Sequence, residues 1–229
     1  SGLFAAKNIE TLQHATCDVS RLLTMGYAVN SSLKLVCDRF SLTNRQRLAV
    51  MRSACSDEQL SGRRDREVQF YELDARPLVI DGYNVLITIE AVLSGGFIFI
   101  GRDGCWRDLA SVHGSYRRVE ETVAAVEIVG RCLTKAGVTD IRWLFDSPVS
   151  NSGKLKTLIA EIAEKNNWHW DIHLLTNPDS EMITGDRLVA TADSVVLDKC
   201  KQWINLAAGI IQYEKLNANI IDLSGNPTA

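Results

Sequence analysis

From Arg76 onward, short apolar runs recur that each end on or near an acid: "PLVID", "IRWLFD", "RLVATAD" and a last one, "ANIIDL". Between them lie stretches of helical period. "YRRVEETVAAVEIVGRCLTKAG" sets Val119, Val123, Val126, Gly130 and Leu133 on one face, and "GKLKTLIAEIAEKNN" does the same with Leu155, Leu158, Ile159 and Ile162. "SVVLDKCKQWI" is a third helix candidate, and "WHWDIHLL" alternates as a strand. Strands that are apolar on both faces must be covered on both faces. Their alternation with helices therefore predicts an α/β fold with a mostly parallel sheet flanked by helices. A hairpin insertion is expected in "ITIEAVLSGGFIFIGRDGCW", with two strands joined at Ser94-Gly95-Gly96.

The chain ahead of this region reads differently. "AAKNIETLQHATCDVSRLLTMGY", "NSSLKLVCDRF" and "LTNRQRLAVMRSAC" carry helical spacing only, the first with a break near Thr16-Cys17. They predict a small all-α domain over residues 1–58. "SDEQLSGRRDREVQFYELDAR" mixes charges without clear period, so residues 59–75 read as a solvated linker and 76–229 as the α/β domain. Arg45, Arg47 and Arg52 on the third helix allow two readings, a nucleic-acid face or a solvated bundle face, and three arginines favour the second.

Composition narrows the function classes. With 229 residues, 46% hydrophobic and 23% charged, the chain is ordinary for a globular protein, and no apolar run is long enough to span a bilayer. The opening "SGLFAAKNIE" lacks the pattern of a secretory signal. The six cysteines are scattered without C-x-x-C pairs, which suits free thiols in a cytoplasmic setting. Walker A, G-x-S-x-G and G-x-G-x-x-G motifs are absent. A net charge of −3 argues against a generally basic nucleic-acid coat, although an acidic metal site can itself dominate the count.

Ligands of open parallel sheets bind outside the carboxyl ends of the strands. Asp81, Asp146 and Asp193 end strands there, and Asp179 stands at a turn or helix start in "LLTNPDSEMITGD". Each acid alone has a structural explanation: Asp193 as a helix cap, Asp146 as an Asx turn, Asp81 as a turn acid. Together, gathered carboxylates repel, and a hard divalent cation relieves that conflict by taking oxygen ligands. Mg²⁺ or Mn²⁺ held in this way can activate water against a phosphodiester. In "GCWRDLASVHGSYRR", Arg107, Asp108 and Arg117 lie in a loop where arginines can hold phosphate oxygens, or else form a salt-bridge network. H-x-D-x-H at His169, Asp171 and His173 is explained by a polar strand face as well as by a metal.

"VIDGYNVL", "FDS", "PD" and "VATADSVVLD" resemble the PIN-like nuclease superfamily, and its NYN branch in particular. More closely, "DGYNVLIT", "RDLASVHGSYR", "DSPVSNSGKL" and "VATADSVVLDK" resemble a prokaryotic domain-of-unknown-function family. In that family a helical N-terminal domain precedes a PIN-like one. The resemblance implies a Rossmann-like PIN-type fold and a Mg²⁺- or Mn²⁺-dependent ribonuclease site. Asp81, Asp146, Asp179 and Asp193 would be metal ligands there, and Glu120, chosen over Glu121, the helix glutamate. Asn84 and Thr191 would complete the substrate site. RNA is the implied substrate, with a homodimer or a protein partner on the helical domain as further expectations. A non-catalytic RNA- or protein-binding module on the same fold is the alternative.

Overall fold

The computed structural model describes residues 2–110 and 120–225. In chain order the helices and strands are α1 (Ala6–Thr24), α2 (Val29–Arg39), α3 (Asn44–Ser53), α4 (Asp57–Arg64), β1 (Leu78–Asp81) and α5 (Gly82–Leu93). Then come β2 (Phe97–Ile100), β3 (Trp106–Arg107), α6 (Glu121–Lys135), β4 (Ile141–Asp146), α7 (Ser152–Lys165) and β5 (Trp170–Leu175). The chain ends with α8 (Pro178–Thr184), β6 (Leu188–Ala190), α9 (Ser194–Leu197), β7 (Trp203–Ile204), α10 (Leu206–Tyr213) and β8 (Asn219–Asp222). These elements form two compact units. One comprises residues up to Asp65 with Phe97–Leu109 and the segment from Asn219; the other comprises Arg66–Gly96 and the residues from Ala110 to Ala218.

The larger unit is the α/β one. Its five strands are all parallel, in the order β5-β4-β1-β6-β7. The central strands are buried along their length, as "LVI" and "LVA" require. The chain runs outward from β1 to β4 and β5, then returns to place β6 on the other side of β1. That reversal opens a crevice at the carboxyl ends of β1 and β6. The core is one apolar cluster that includes Ile80, Leu86, Val129, Trp143, Phe145 and Ile210.

Two expectations for this unit need correction. Gly82–Leu93 is a helix rather than the first arm of a hairpin, although "ITIEAVL" is rich in β-branched residues. It is apolar nearly all round, and eight of its twelve residues are buried. A helix enclosed by its neighbours has no polar face, so its period is hidden. Its one buried acid, Glu90, accepts a hydrogen bond from Thr122 Oγ1 on α6 at 2.7 Å. "SVVLDKCKQWI" is likewise not one helix: α9 is four residues long, and Trp203-Ile204 leaves it to pair with β6.

The smaller unit packs α1 to α4 with a three-stranded sheet ordered β3-β2-β8. β3 runs antiparallel to β2, so the hairpin is Phe97–Ile100 with Trp106–Arg107. β8, expected as the last strand of the parallel α/β sheet, pairs with β2 here instead. Phe4, Leu12, Val19, Val50, Phe99 and Ile221 share one apolar cluster, with the Phe4 ring 4.9 Å from that of Phe99. α1 runs unbroken through Thr16, whose hydroxyl bonds back to Leu12 O at 2.9 Å. The charged segment expected as a linker begins with α4, capped by Ser56 and Gln59. Arg63 on α4 is almost fully buried, 2.5 Å from Asp103, which Arg107 also clasps at 2.7 Å. Burial pushes the Asp103 carboxyl up, but the two guanidiniums outweigh it and hold the group well below the carboxylate range. Among the described residues no helix is long and apolar enough to cross a membrane.

Candidate functional site

Local sequence dictates how each acid is presented at the crevice. Asp81 ends β1 and caps α5: its Oδ1 accepts from Asn84 N at 3.4 Å, and Gly82 lets the helix start against the ring of Phe145. Asp193 follows β6 and caps α9, its Oδ1 accepting from Val195 N at 2.8 Å and Val196 N at 3.3 Å. Asp146 ends β4. Asp179 sits in the first turn of α8, where Pro178 preorganises the helix and Asn177 Oδ1 accepts from Ser180 N at 3.3 Å. "TNPDS" thus carried a cap signal of its own, in Asn177 and Pro178.

The turns after β1 and β6 are tied together by side chains. Thr191 Oγ1 donates to Asp81 Oδ2 at 2.7 Å and accepts from Asp193 N at 3.0 Å. Asn84 Oδ1 accepts from Ala192 N at 2.9 Å. Asn84 and Thr191, expected to bind substrate, therefore have their oxygens engaged in fixing the two strand ends. Tyr83, two residues after Asp81, is buried edge-on to Phe145 at 5.1 Å. Burial, with the nearby charge of Asp146, pushes its hydroxyl up to about 12, so it stays protonated.

Electrostatics link the four aspartates. Burial raises the Asp81 carboxyl to about 7; the Thr191 and Asn84 hydrogen bonds oppose that rise, and the charges of Asp193 and Asp179 add to it. Asp146 is raised by burial and by Asp193. Asp179 is raised by burial, Asp193 and Asp146. Every donor here is a hard oxygen, which is the chemistry of a Mg²⁺ or Mn²⁺ site rather than of a soft metal. As the side chains stand, no group of three or more His, Cys, Asp or Glu among the described residues is placed to hold an ion. The donor set fits such a cation by chemistry, while Asp81 and Asp193 each have one oxygen engaged in capping.

Glu120 is exposed at the start of α6 and is not among the neighbours that shift the aspartates. Arg107 and Asp108 are buried in the smaller unit. Arg107 grips Asp103, and the Asp108 carbonyl accepts from Arg52 Nη1 at 2.8 Å. Arg117 lies outside the described residues. His173 Nε2 lies 2.6 Å from Asp171 Oδ1, and Asp171 also meets Arg142 Nε on β4 at 3.1 Å, so the central acid of H-x-D-x-H is engaged by its neighbours in the sheet. Two of the three third-helix arginines are also engaged: Arg47 pairs with Asp38 at 2.8 Å, and Arg52 bonds the Asp108 carbonyl, while Arg45 is exposed.

Comparison with known proteins gives two family matches along the chain. Residues 70–209 match the family described as "Domain of unknown function (DUF5616)". Residues 11–66 match "Protein of unknown function (DUF434)". The chain is 28% identical over 207 residues to an uncharacterized protein, MJ0935, of Methanocaldococcus jannaschii, covering 90% of this chain and 99% of that protein. No solved structure matches the chain.

Proposed function

The chain belongs to the DUF5616 family, and because all four aspartates of the crevice fall within the matched span, we propose that this crevice is a hydrolytic site. The reading is a cytoplasmic, metal-dependent ribonuclease on a PIN-type fold, cutting RNA phosphodiester bonds. The observation that supports it best is the mutual coupling of Asp81, Asp146, Asp179 and Asp193 at one strand edge, with Asp81 raised to about 7. Carboxyls raised by burial and by one another's charge at a sheet's ligand edge mark a candidate functional site.

Asp81, Asp146, Asp179 and Asp193 would hold Mg²⁺ or Mn²⁺, which when bound would supply an activated, oriented water for in-line attack. The protein's own residues do the rest. Thr191 fixes Asp81 Oδ2 and the amide of Asp193 in one arrangement, and Asn84 keeps the two turns in register. Near neutral pH Asp81 is partly protonated in the cation-free chain, so cation binding releases a proton and strengthens as pH rises. Tyr83 remains a proton-bearing neighbour of Asp146 throughout the working range.

A second reading, a non-catalytic RNA- or protein-binding module, draws on a different observation. Asp81 and Asp193 already cap helices, and no group of three described ligands is placed for an ion. One experiment separates the two readings. Purified full chain is incubated with a mixed RNA pool and Mn²⁺, alongside Asp81→Asn and Asp193→Asn. Each substitution should lower cleavage at least about a hundredfold, the scale on which one catalytic group acts. Cleavage untouched by both substitutions would sink the hydrolytic site. Absent cleavage with no rise in melting temperature on adding Mn²⁺ would favour the binding module.

A further inference from the structure

The α/β unit has a second concave feature, at the edge of the sheet away from the aspartates. A cavity of about 610 Å³ is lined in part by Phe70, Tyr71, Glu72 and Asp74, which precede β1, and by Lys135 and Tyr213. Lys135 closes α6 just before the chain enters β4, and Tyr213 closes α10. All of these positions lie at the amino-terminal edge of the parallel strands. The acidic crevice lies at the carboxyl-terminal edge, so the two features are separate.

The walls already display one way of holding a cation. Lys135 Nζ sits 5.4 Å from the centroid of the Tyr213 ring and 3.2 Å from Glu214 Oε1. That is an ammonium on an aromatic face, neutralised by one carboxylate. The lining also contains a second tyrosine, Tyr71, and two carboxylates, Glu72 and Asp74. Tyr71 is 83% exposed, a degree of exposure that its large ring would avoid if it had only a packing role. Glu72 and Asp74 are close to it in sequence and share the lining; neither forms an ion pair among the described residues, and Glu72 Oε2 accepts from Gln69 N at 2.9 Å. With Lys135 balanced by Glu214, these two acids leave the cavity net negative.

The cavity is also preorganised. Phe70 is pressed against α10 so closely that a β-carbon on Gly209 would fall 2.2 Å from its ring. The Phe70 ring lies 5.9 Å from that of Tyr213. Asp74 and Ala75 hold φ values of 27° and 55°, a left-handed pair without glycine. Such a conformation costs free energy and persists only where the surroundings impose it. Asp74 shares the lining with Tyr71.

The geometry points to a binding site for a small organic cation, an ammonium or guanidinium group on a short aliphatic chain. The head group would lie on the Tyr71 face between Glu72 and Asp74, with the chain along Phe70. Aromatic faces with nearby carboxylates are the recognition chemistry of such cations, and the volume suits a small molecule. A phosphate-bearing ligand is disfavoured by the two unpaired acids. This site is independent of the hydrolytic reading of the crevice.

The test is calorimetric titration of the full chain with agmatine, using neutral 1,4-butanediol as the comparison ligand. Saturable one-to-one binding of agmatine, and none of the diol, is expected. Tyr71→Ala and Asp74→Asn should each weaken it at least about threefold, the scale of one exposed cation–π or ionic contact. Both positions are exposed, and Asn tolerates the left-handed backbone at 74, so both variants should fold. Asp193→Asn, at the opposite edge, should leave the affinity unchanged. The proposal is overturned if agmatine does not bind, if the diol binds equally, or if affinity responds to Asp193→Asn but not to Tyr71→Ala and Asp74→Asn.

Discussion

Asp81 carries the clearest consequence at the scale of one residue. Its carboxyl sits near 7 in the folded chain, well above the unfolded value of about 4. Between those values the folded state binds more protons than the unfolded one, so this group lowers stability as pH rises from about 4 to about 7. Above that window the loss is complete and constant. Asn mimics the protonated acid and should remove the penalty. Asp81→Asn is therefore expected to match wild type near pH 4 and to exceed it by roughly 1–3 kcal/mol at pH 8, after discounting for solvent at the crevice. Urea unfolding at the two pH values measures this directly. Equal pH profiles for the two proteins would mean that Asp81 is not held in an anionic, desolvated neighbourhood.

At the scale of elements, the crevice depends on how tightly α5 is set against the sheet. A β-carbon at position 82 would lie 2.1 Å from Phe145 Cε1, far inside contact distance. Phe145 is fully buried with Tyr83 edge-on and Trp143 stacked at 6.0 Å, so the ring has little room to yield. Gly82→Ala should destabilise the chain by about 1–3 kcal/mol, the usual cost of overpacking. Shrinking the ring in Gly82→Ala/Phe145→Leu should recover part of that loss, and chemical denaturation of the two variants provides the comparison. If the single variant is as stable as wild type, the Phe145 ring yields to the added methyl at little cost and the overpacking argument fails. The same geometry explains why "DGYN" follows the strand: Asp caps, Gly admits the ring, Tyr covers it and Asn ties the turn to β6.

The whole molecule is not divided where its sequence changes character. The smaller unit is assembled from three separated segments: its helices come from the N-terminal part, β2 and β3 from residues after α5, and β8 from near the C-terminus. Phe99, Ile221 and Leu223 complete the apolar cluster that Leu12, Val19 and Val50 begin. A fragment of residues 76–229 would therefore leave β2 and β8 without the helices that cover them. It should show low protection of residues 97–100 and 219–222 in amide exchange, and it should self-associate through the bared sheet. Native-like protection in that fragment would show that the strands need no helical cover.

Much of this protein was legible from local pattern alone. The apolar runs ending in acids specify strands buried on both faces, because nothing else hides such runs, and they put Asp81, Asp146 and Asp193 at one edge. The cap residues Asp81 and Asp193 are local signals as well. What required tertiary structure was pairing across distance. α5 has no polar face to betray a helical period, β8 is apolar enough for either sheet, and Arg107 reads as a surface arginine until Asp103 and Arg63 are seen around it. Sequence fixes which segments must be buried, since burial is a property of side chains. Which partner buries them, and which charges meet there, is set by long-range packing that no window along the chain contains.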